Sequence, residues 1–329
     1  MATTLPTGGP SRRAATLKAL TGAVRGDQIF RILLTIAALA IPALLLALLV
    51  VLVRGARPAI AQFGVGFAAT KTWDPVAGQF GAFPMVVGTL LTSLVALLIA
   101  VPLSLGVAVY LTEFAPGFLR RPVSMTIELL AAIPSVVYGL WGVFVLIPLL
   151  QHAVFPFLRS LLGFLPLFRG VIYGPSVLAA SIILAIMIMP FIMSVAREVL
   201  LAVPGSQREA AMALGATRWE AVRTAIVPYA RSGLIGAIIL GLGRALGETM
   251  AVTMLIGNRH DISTSLFAPG YTMAAAIANE FNEAATPMHY AALTYVALLL
   301  FVITVLVNAA ARLLIWRVSR GGVSGRNSA

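Results

Sequence analysis

The sequence predicts an all-α integral membrane protein with six transmembrane helices, and three observations support this fold class. Of the 329 residues, 60% are apolar and only 10% are charged. Since a soluble domain carries about 25% charged residues, this chain has too little polar surface to cover a globule in water. In addition, six apolar stretches are each long enough to cross the hydrocarbon core, which takes about 20 residues of helix.

The apolar stretches divide the chain into a simple plan. Proline and arginine interrupt the apolar pieces within 153–168, so we predict an interfacial or re-entrant segment there. We expect a disordered cytoplasmic segment over 1–28, a transmembrane domain over 29–316 and a cytoplasmic tail over 317–329. The stretches run from about 29 to 53, 83 to 111, 123 to 150, 176 to 196, 232 to 256 and 290 to 316.

The distribution of basic residues predicts the orientation of the chain. It has 23 Lys and Arg residues against 11 Asp and Glu residues, a formal net charge of +12. With the N-terminus placed inside, 16 of the Lys and Arg residues fall in inside segments and six in outside segments. Inside loops concentrate Lys and Arg, so we predict that both termini are cytoplasmic. The basic residues are dispersed among apolar spans, which favours contact with anionic membrane lipid over nucleic acid.

The sequence also excludes several kinds of chemistry. It contains no cysteine, which excludes disulfides, iron–sulfur clusters and a cysteine nucleophile. Neither of its two lysines, Lys18 and Lys71, follows glycine as a Walker A loop requires. His152, His260 and His289 lack the spacing of metal ligands, and we find no catalytic triad. We therefore predict a protein that is not an enzyme and holds no cofactor or metal, so that any ATP hydrolysis belongs to another polypeptide.

The first outer loop contains aromatic residues among turn residues. Two interpretations stay open: an aromatic belt at the membrane interface, or a docking surface for an external partner. The residues are Phe63, Phe67, Trp73, Phe80 and Phe83.

The inside loop between the fourth and fifth stretches, about 198–231, predicts a helical hairpin. Ser206 and Glu209 fit an S-x-x-E capping box that would begin a short helix. Gly215 lies where a left-handed residue would end that helix. The loop is therefore expected to be a structured element of the cytoplasmic face.

A second capping box begins the other helix of this hairpin. It consists of Thr217 and Glu220, and the helix is expected to end near Pro228. Small residues on the first helix let another surface approach closely, which favours insertion into a groove of a partner. The hairpin lying on lipid headgroups is the alternative.

The fifth stretch contains two ionisable residues, Arg244 and Glu248. An ionisable group near the bilayer centre costs about 2.5–3.5 kcal/mol on insertion scales, so both are expected to face protein or a wet cavity. Their i, i+4 spacing places them on one helix face, where they can pair. Two interpretations stay open: a structural ion pair, or a cationic element on an anion path, for which the planar fork of arginine suits phosphate.

The hairpin resembles a known motif. Glu209-Ala210-Ala211, followed after three residues by Gly215, resembles the EAA motif of ATP-binding-cassette importer permeases. In that family the loop is a coupling helix that docks into a groove of the ATPase subunit. The resemblance therefore implies that these four residues form the contact with an ATPase.

Three further runs resemble the phosphate importer permeases of bacteria: IPSVVYG at 133–139, REAAMALGAT at 208–217 and GRALGETMAV at 243–252. The resemblance covers about 60–310, and the outer loop and the end of the second stretch favour the PstC type. The residues that favour it are Trp73, Asp74, Pro75, Phe80, Gly81, Pro84, Gly88, Thr89, Tyr110, Leu111, Glu113, Ala115 and Pro116.

The resemblance implies the type I, MetI-like permease fold of importers in the bacterial inner membrane. It implies that Arg244 and Glu248 match charged positions of the translocation pathway. The implied partners are a PstB-type ATPase dimer that carries ATP and magnesium, a PstA-type second permease subunit and a PstS-type external phosphate-binding protein. Phosphate is the implied substrate.

Two other functions stay open. The first keeps the same architecture and imports another oxyanion, such as sulfate or molybdate. The second is a secondary transporter or channel that works without ATP.

Overall fold

The computed structural model describes the backbone of residues 10–320 and the side chains of residue 28 and residues 30–313. Within that part the regular elements are helical, and one isolated β-bridge joins Asp74 to Gln79. The helices are α1 (Pro10–Phe63), α2 (Phe83–Phe114), α3 (Gly117–Ala131), α4 (Ser135–Leu162), α5 (Val177–Leu201), α6 (Gly205–Ala213), α7 (Arg218–Leu246), α8 (Met250–Ile256), α9 (Met273–Glu280) and α10 (Pro287–Arg320).

Six of these helices are long and apolar enough to cross a membrane: α1, α2, α4, α5, α7 and α10. Six is the predicted number. α1 already begins at Pro10, so residues 10–28 of the predicted N-terminal segment are helical. Residues 1–9 and 321–329, where the rest of the predicted terminal segments fall, lie outside the described part.

The chain divides into two compact units, at Arg54 and Gly55. The described part of the first unit is residues 10–54 of helix α1. Its apolar length is typical of a membrane span.

The core of the second unit is built on α5, which is paired most extensively with α2. Four small residues at intervals of four, Ala96, Ala100, Ser104 and Ala108, are fully buried along α2. Such a stripe lets two helix backbones approach closely, which is the packing that membrane helices favour. The Ser104 hydroxyl donates to the Met189 carbonyl of α5 at 3.3 Å.

The prediction that the third stretch is a single helix is wrong. α3 ends at Ala131, residues 132–134 interrupt the helix, and α4 then runs from Ser135 to Leu162. Pro134 has no N–H, and a proline disfavours helix for the residue before it. The interfacial segment predicted within 153–168 is also wrong over residues 153–162, which belong to α4.

Three prolines inside the long helices share a local arrangement, whereas Pro102 and Pro190 lie inside α2 and α5 without it. A proline ring clashes with the carbonyl four residues earlier, and a π-helical turn moves that carbonyl out of register. Three prolines each lie two residues after such a turn. They are Pro148 after Gly142–Leu146, Pro156 after Leu150–Val154 and Pro228 after Val222–Ile226.

The end of the molecule away from α6 is closed by the loop from Gly257 to Thr272. This loop supplies carbonyl acceptors to the first turn of α5, whose N–H groups lack partners within the helix. The N–H groups of Val177 and Leu178 donate to Ala268 and Leu266 at 3.0 and 2.9 Å. We call this the loop end of the molecule, and the end that carries α6 the hairpin end.

Candidate coupling and translocation sites

The structure contains the predicted helical hairpin, which is formed by α6 and the first turns of α7. α6 is followed by Gly215 with φ +86°, the left-handed conformation that the sequence predicts. The Thr217–Glu220 capping box is also confirmed: the Thr217 N–H donates to Glu220 Oε2 at 2.7 Å, and the Glu220 N–H donates to Thr217 Oγ1 at 3.3 Å. These two residues close the turn between α6 and α7.

Two details of the predicted hairpin are wrong. Ser206 makes no capping bond, because α6 begins at Gly205 after Pro204 and Ser206 already lies inside the helix. The second helix does not end near Pro228 but continues to Leu246. A π-helical turn, closed by the Val227 N–H on the Val222 carbonyl, carries the helix past that proline.

The hairpin presents apolar side chains away from the molecule. Leu214 is 90% exposed and Trp219 60% exposed, and Met212 is also exposed. Of the residues implied in ATPase contact, Glu209, Ala210 and Gly215 are exposed and Ala211 is half-buried. Apolar side chains grouped on an otherwise polar tip mark a surface that another protein or a membrane covers.

Sequence reasoning missed the contact of Arg208 with Glu113, the residue just before the end of α2. Arg208 Nη2 and Nε lie 2.7 and 3.1 Å from the two carboxylate oxygens of Glu113. The hydrogen bonds that Arg208 donates to Glu113 raise the pKa of Arg208 despite partial burial. The two residues are 95 positions apart, so no spacing rule identifies the pair.

Of the two open interpretations of Arg244 and Glu248, the structural ion pair is not present in the described part of the chain. α7 ends at Leu246, so the helical i, i+4 geometry does not extend to Glu248. Glu248 Oε1 instead accepts the N–H of Ala251 in the first turn of α8, at 3.3 Å. Arg244 lies on an exposed face of the chain, and the structure records no ion pair for it among the described side chains.

Two helix breaks precede segments that pack against each other, α4 and α8. One separates α3 from α4, and Tyr138 spans it by donating to the Leu130 carbonyl at 2.9 Å. The other separates α7 from α8. Gly139 permits the close approach, since a Cβ there would lie 2.5 Å from Met254 Sδ of α8. The segments that follow the two breaks, α4 and α8, therefore pack against each other.

At the loop end, aromatic residues form a packed cluster. The belt and docking interpretations are wrong for Phe67 and Phe80, because both are buried within the protein. Phe67 stacks on Tyr295 with ring centroids 4.5 Å apart, and Trp73 packs edge-on against Phe80 at 5.0 Å. The cluster joins the first outer loop to α10.

Glu280 lies at the centre of this loop-end cluster. Its carboxylate accepts the Trp73 indole N–H at 2.7 Å, and the Nε2 atoms of His260 and His289 each lie 3.3 Å away. Burial alone would raise the pKa of Glu280, but the hydrogen bonds from His260 and Trp73 outweigh it and hold the pKa below its ordinary value. Burial also raises the pKa of Tyr271. No sequence spacing indicated that His260 and His289 share Glu280 as a partner.

An open cavity of about 620 Å³ adjoins this cluster, between Trp73, His260, Glu280 and His289. Among the side chains that the structure describes, no group of three or more His, Cys, Asp or Glu residues is placed to hold a metal ion. Trp73, His260 and His289 already contact the Glu280 carboxylate. These contacts hold the segments at the loop end together.

Comparison with known proteins identifies the family. The family model described as "Binding-protein-dependent transport system inner membrane component" matches residues 100–320. The chain belongs to this family of inner membrane transport components.

Individual members of this transport family are similar over most of their length. The phosphate transport system permease protein PstC of Haemophilus influenzae is 49% identical over 298 residues, which cover 89% of this chain and 94% of that protein. The protein of the same name from Mesorhizobium japonicum is 47% identical over 89% of this chain and 90% of its own length. A probable PstC of Methanocaldococcus jannaschii is 38% identical over 77% of this chain and 82% of that protein.

The fold of this inner membrane component is also that of a solved transporter. A chain from the MetNI methionine ABC transporter, in an inward-facing conformation, superposes with a TM-score of 0.53 and 21% sequence identity. The match covers 75% of this chain and 99% of that chain. The predicted MetI-like permease fold is thereby confirmed.

Proposed function

We propose that this chain is a transmembrane permease subunit of an ATP-driven phosphate importer. One observation carries the mechanism: α7 runs unbroken from the hairpin at Arg218 to Arg244. A helix of that length spans about 40 Å. A push or pull on the hairpin therefore reaches the arginine without passing through a flexible connector. The similarity to phosphate permeases supplies the substrate class.

The hairpin is the contact with an ATPase in this proposal. Glu209, Ala210, Ala211 and Gly215 form the coupling surface, and exposed Leu214 and Trp219 extend it. A rigid, capped turn suits this task, because it transmits displacement while a floppy loop absorbs it. The chain has no G-K-[ST] sequence, so the ATP and magnesium belong to the partner.

The region of the two helix breaks is the anion path. Arg244 offers a guanidinium that can make two parallel hydrogen bonds to phosphate oxygens. Broken helices that line a cavity are a recurring device for ion and substrate sites at membrane depth. Arg244 lies on an exposed face of this chain, which suits a path that a second permease subunit completes.

The orientation follows from the same assignment. The hairpin end and both termini are cytoplasmic, as the excess of inside Lys and Arg indicates. The loop end faces outward and receives phosphate from an external binding protein. ATP binding closes the PstB-type subunits on the hairpin and opens the path outward, and hydrolysis resets it, so the site is open to one side at a time.

Uptake of labelled phosphate by cells that depend on this chain tests the proposal. We expect uptake with the native chain that excess unlabelled sulfate or molybdate does not reduce. Arg244→Ala is expected to abolish uptake while the subunits still co-purify, because only the charge on the path is lost. Normal uptake by Arg244→Ala would remove that residue from the path, and competition by sulfate would reassign the substrate.

A separate variant tests the coupling surface. Glu209→Lys reverses an exposed charge at the base of the hairpin and is expected to reduce co-purification with the ATPase and uptake together. Glu198→Gln, at an exposed residue near the end of α5, is the matched control and is expected to leave both unchanged. Intact assembly and uptake in Glu209→Lys would contradict the assignment of the hairpin.

A further inference from the structure

Arg208 joins three elements at the hairpin end. From α6 its Nη2 lies 2.7 Å from Glu113 Oε1 in α2, and its Nε lies 3.1 Å from Glu113 Oε2. The same guanidinium donates to the Leu200 carbonyl at 3.2 Å, near the end of α5, and to the Val203 carbonyl at 3.0 Å, just after that helix. One side chain therefore ties α6 to the ends of α2 and α5.

The bonded groups are sheltered from solvent. The side chains of Arg208 and Glu113 are 28% and 11% exposed. Charged hydrogen bonds in a bidentate fork fix geometry as well as contributing energy, and a sheltered carboxylate that loses its partner is left with an unfavourable charge. The contact is therefore built to hold a fixed geometry.

Among the described residues, this is the one ion pair that connects the hairpin to a membrane span. The backbone also connects the hairpin to α5 through residues 202–204 and to the core through the unbroken helix α7. Neither backbone connection reaches α2, so the pair with Glu113 is the direct polar contact between the hairpin and that helix.

We infer that Arg208 is a positioning residue for coupling, which through Glu113 makes α2 move with the hairpin during each transport cycle. This inference rests on the proposed function and adds a residue to it. Without the pair, a docked ATPase would still move α5 and α7 through the backbone, but α2 would lag behind. ATP would then be hydrolysed with little phosphate moved.

Proteoliposomes that contain the complete complex test this inference, with ATP hydrolysis and phosphate uptake measured on the same vesicles. Glu113→Gln keeps the size of the side chain and removes its charge. We expect about a tenfold rise in ATP hydrolysed per phosphate transported, within the usual range of coupling between sites, with normal assembly. Glu198→Gln removes a charge from an exposed pair with Arg197 and is expected to change nothing.

Replacing the Arg208–Glu113 ion pair by a covalent cross-link shows whether the pair transmits motion or only supports folding. The chain contains no cysteine, so Glu113→Cys with Arg208→Cys introduces two unique thiols when the partner subunits are also cysteine-free. The double variant is expected to be uncoupled. A bismaleimide of matching length should restore coupling by joining the helices, whereas N-ethylmaleimide, which caps both thiols without joining them, should not.

The outcomes are distinguishable. A native complex that does not couple ATP to phosphate uptake would refute the proposed function, and this inference with it. A coupled native complex together with normal coupling in Glu113→Gln would overturn the inference alone. Loss of assembly in Glu113→Gln, or a cross-linked variant that stays uncoupled, would also overturn it.

Discussion

Individual side chains at the hairpin show why local geometry decides the role of a residue. Thr217 and Ser206 both begin an S/T-x-x-E pattern, yet only Thr217 caps a helix. Ser206 lies one residue inside α6, where the preceding Pro204 already provides the extended entry to the helix. The same letters therefore contribute differently to stability.

The two capping patterns give a matched pair of variants. Thr217→Ala removes the acceptor for the Glu220 N–H and is expected to destabilise the hairpin by about 1 kcal/mol. Ser206→Ala, which removes no capping bond, is expected to change stability by less than about 0.5 kcal/mol. Limited proteolysis within the hairpin of the purified chain measures the difference. Equal rates of cleavage in the two variants would contradict the assigned cap.

The Glu280 cluster makes the stability of the loop end depend on pH. A pKa held below its ordinary value of 4.5 means that the ionised form is favoured in the folded state. This contribution is fully present above pH 4.5 and is lost as the pH falls through the lower folded-state pKa. Glu280→Gln is expected to abolish this part of the acid dependence of thermal unfolding.

Glu283→Gln is the control for that measurement, because Glu283 lines the same cavity but is exposed. It should keep the acid dependence of the native chain. An unchanged slope of unfolding temperature against pH in Glu280→Gln would show that the cluster does not hold the loops through its charge.

Sequence reasoning located single residues well where a turn fixes the backbone and poorly where pairing depends on tertiary contacts. The left-handed Gly215 and the Thr217 cap follow from local chemistry. The i, i+4 pairing of Arg244 with Glu248 does not form, because the helix ends between the two residues. The Arg208–Glu113 and Glu280 contacts join residues far apart in the chain, which no local pattern specifies.

At the scale of elements, α2 and α5 determine how the core is packed. The buried stripe of α2, defined above by its small residues at intervals of four, sets the separation of the two helices. A larger side chain in this stripe would push α2 and α5 apart, because the stripe is fully buried.

Ala100→Leu tests this packing. Overfilling a close-packed interface costs about 1–3 kcal/mol, so we expect a lower thermal unfolding temperature of the purified chain in detergent. Leu98→Ala on the exposed side of α2 is the control and is expected to stay within about 0.5 kcal/mol of the native chain. A larger loss of stability from Leu98→Ala than from Ala100→Leu would show that α2 does not pack on α5 through the side that carries Ala100.

The number of spans was predictable because apolar length is a strong signal, but the ends of the third and fifth stretches were not. Proline is a poor guide to these ends: Pro134 stands at a helix break, whereas Pro148 and Pro228 lie within long helices behind π-helical turns. Pro102 and Pro190 lie inside α2 and α5 without a π-helical turn, so a widened turn is one way among others for a helix to continue past a proline.

At the scale of the whole molecule, the hairpin and Arg244 lie at different positions along one helix, α7. The hairpin presents an apolar tip, α7 leads from it to Arg244, and the Arg208–Glu113 pair connects it to the paired helices of the core. At the loop end, the cluster around Glu280 ties the loops to α10. Exposed apolar faces and an exposed Arg244 suit one half of a larger assembly.

The most direct test is phosphate accumulation inside vesicles that contain this chain, its ATPase and its second permease subunit, with the external binding protein outside. We predict accumulation that requires hydrolysable ATP on the hairpin side and stops with a non-hydrolysable analogue. Accumulation driven by an ion gradient in the absence of ATP would contradict the account.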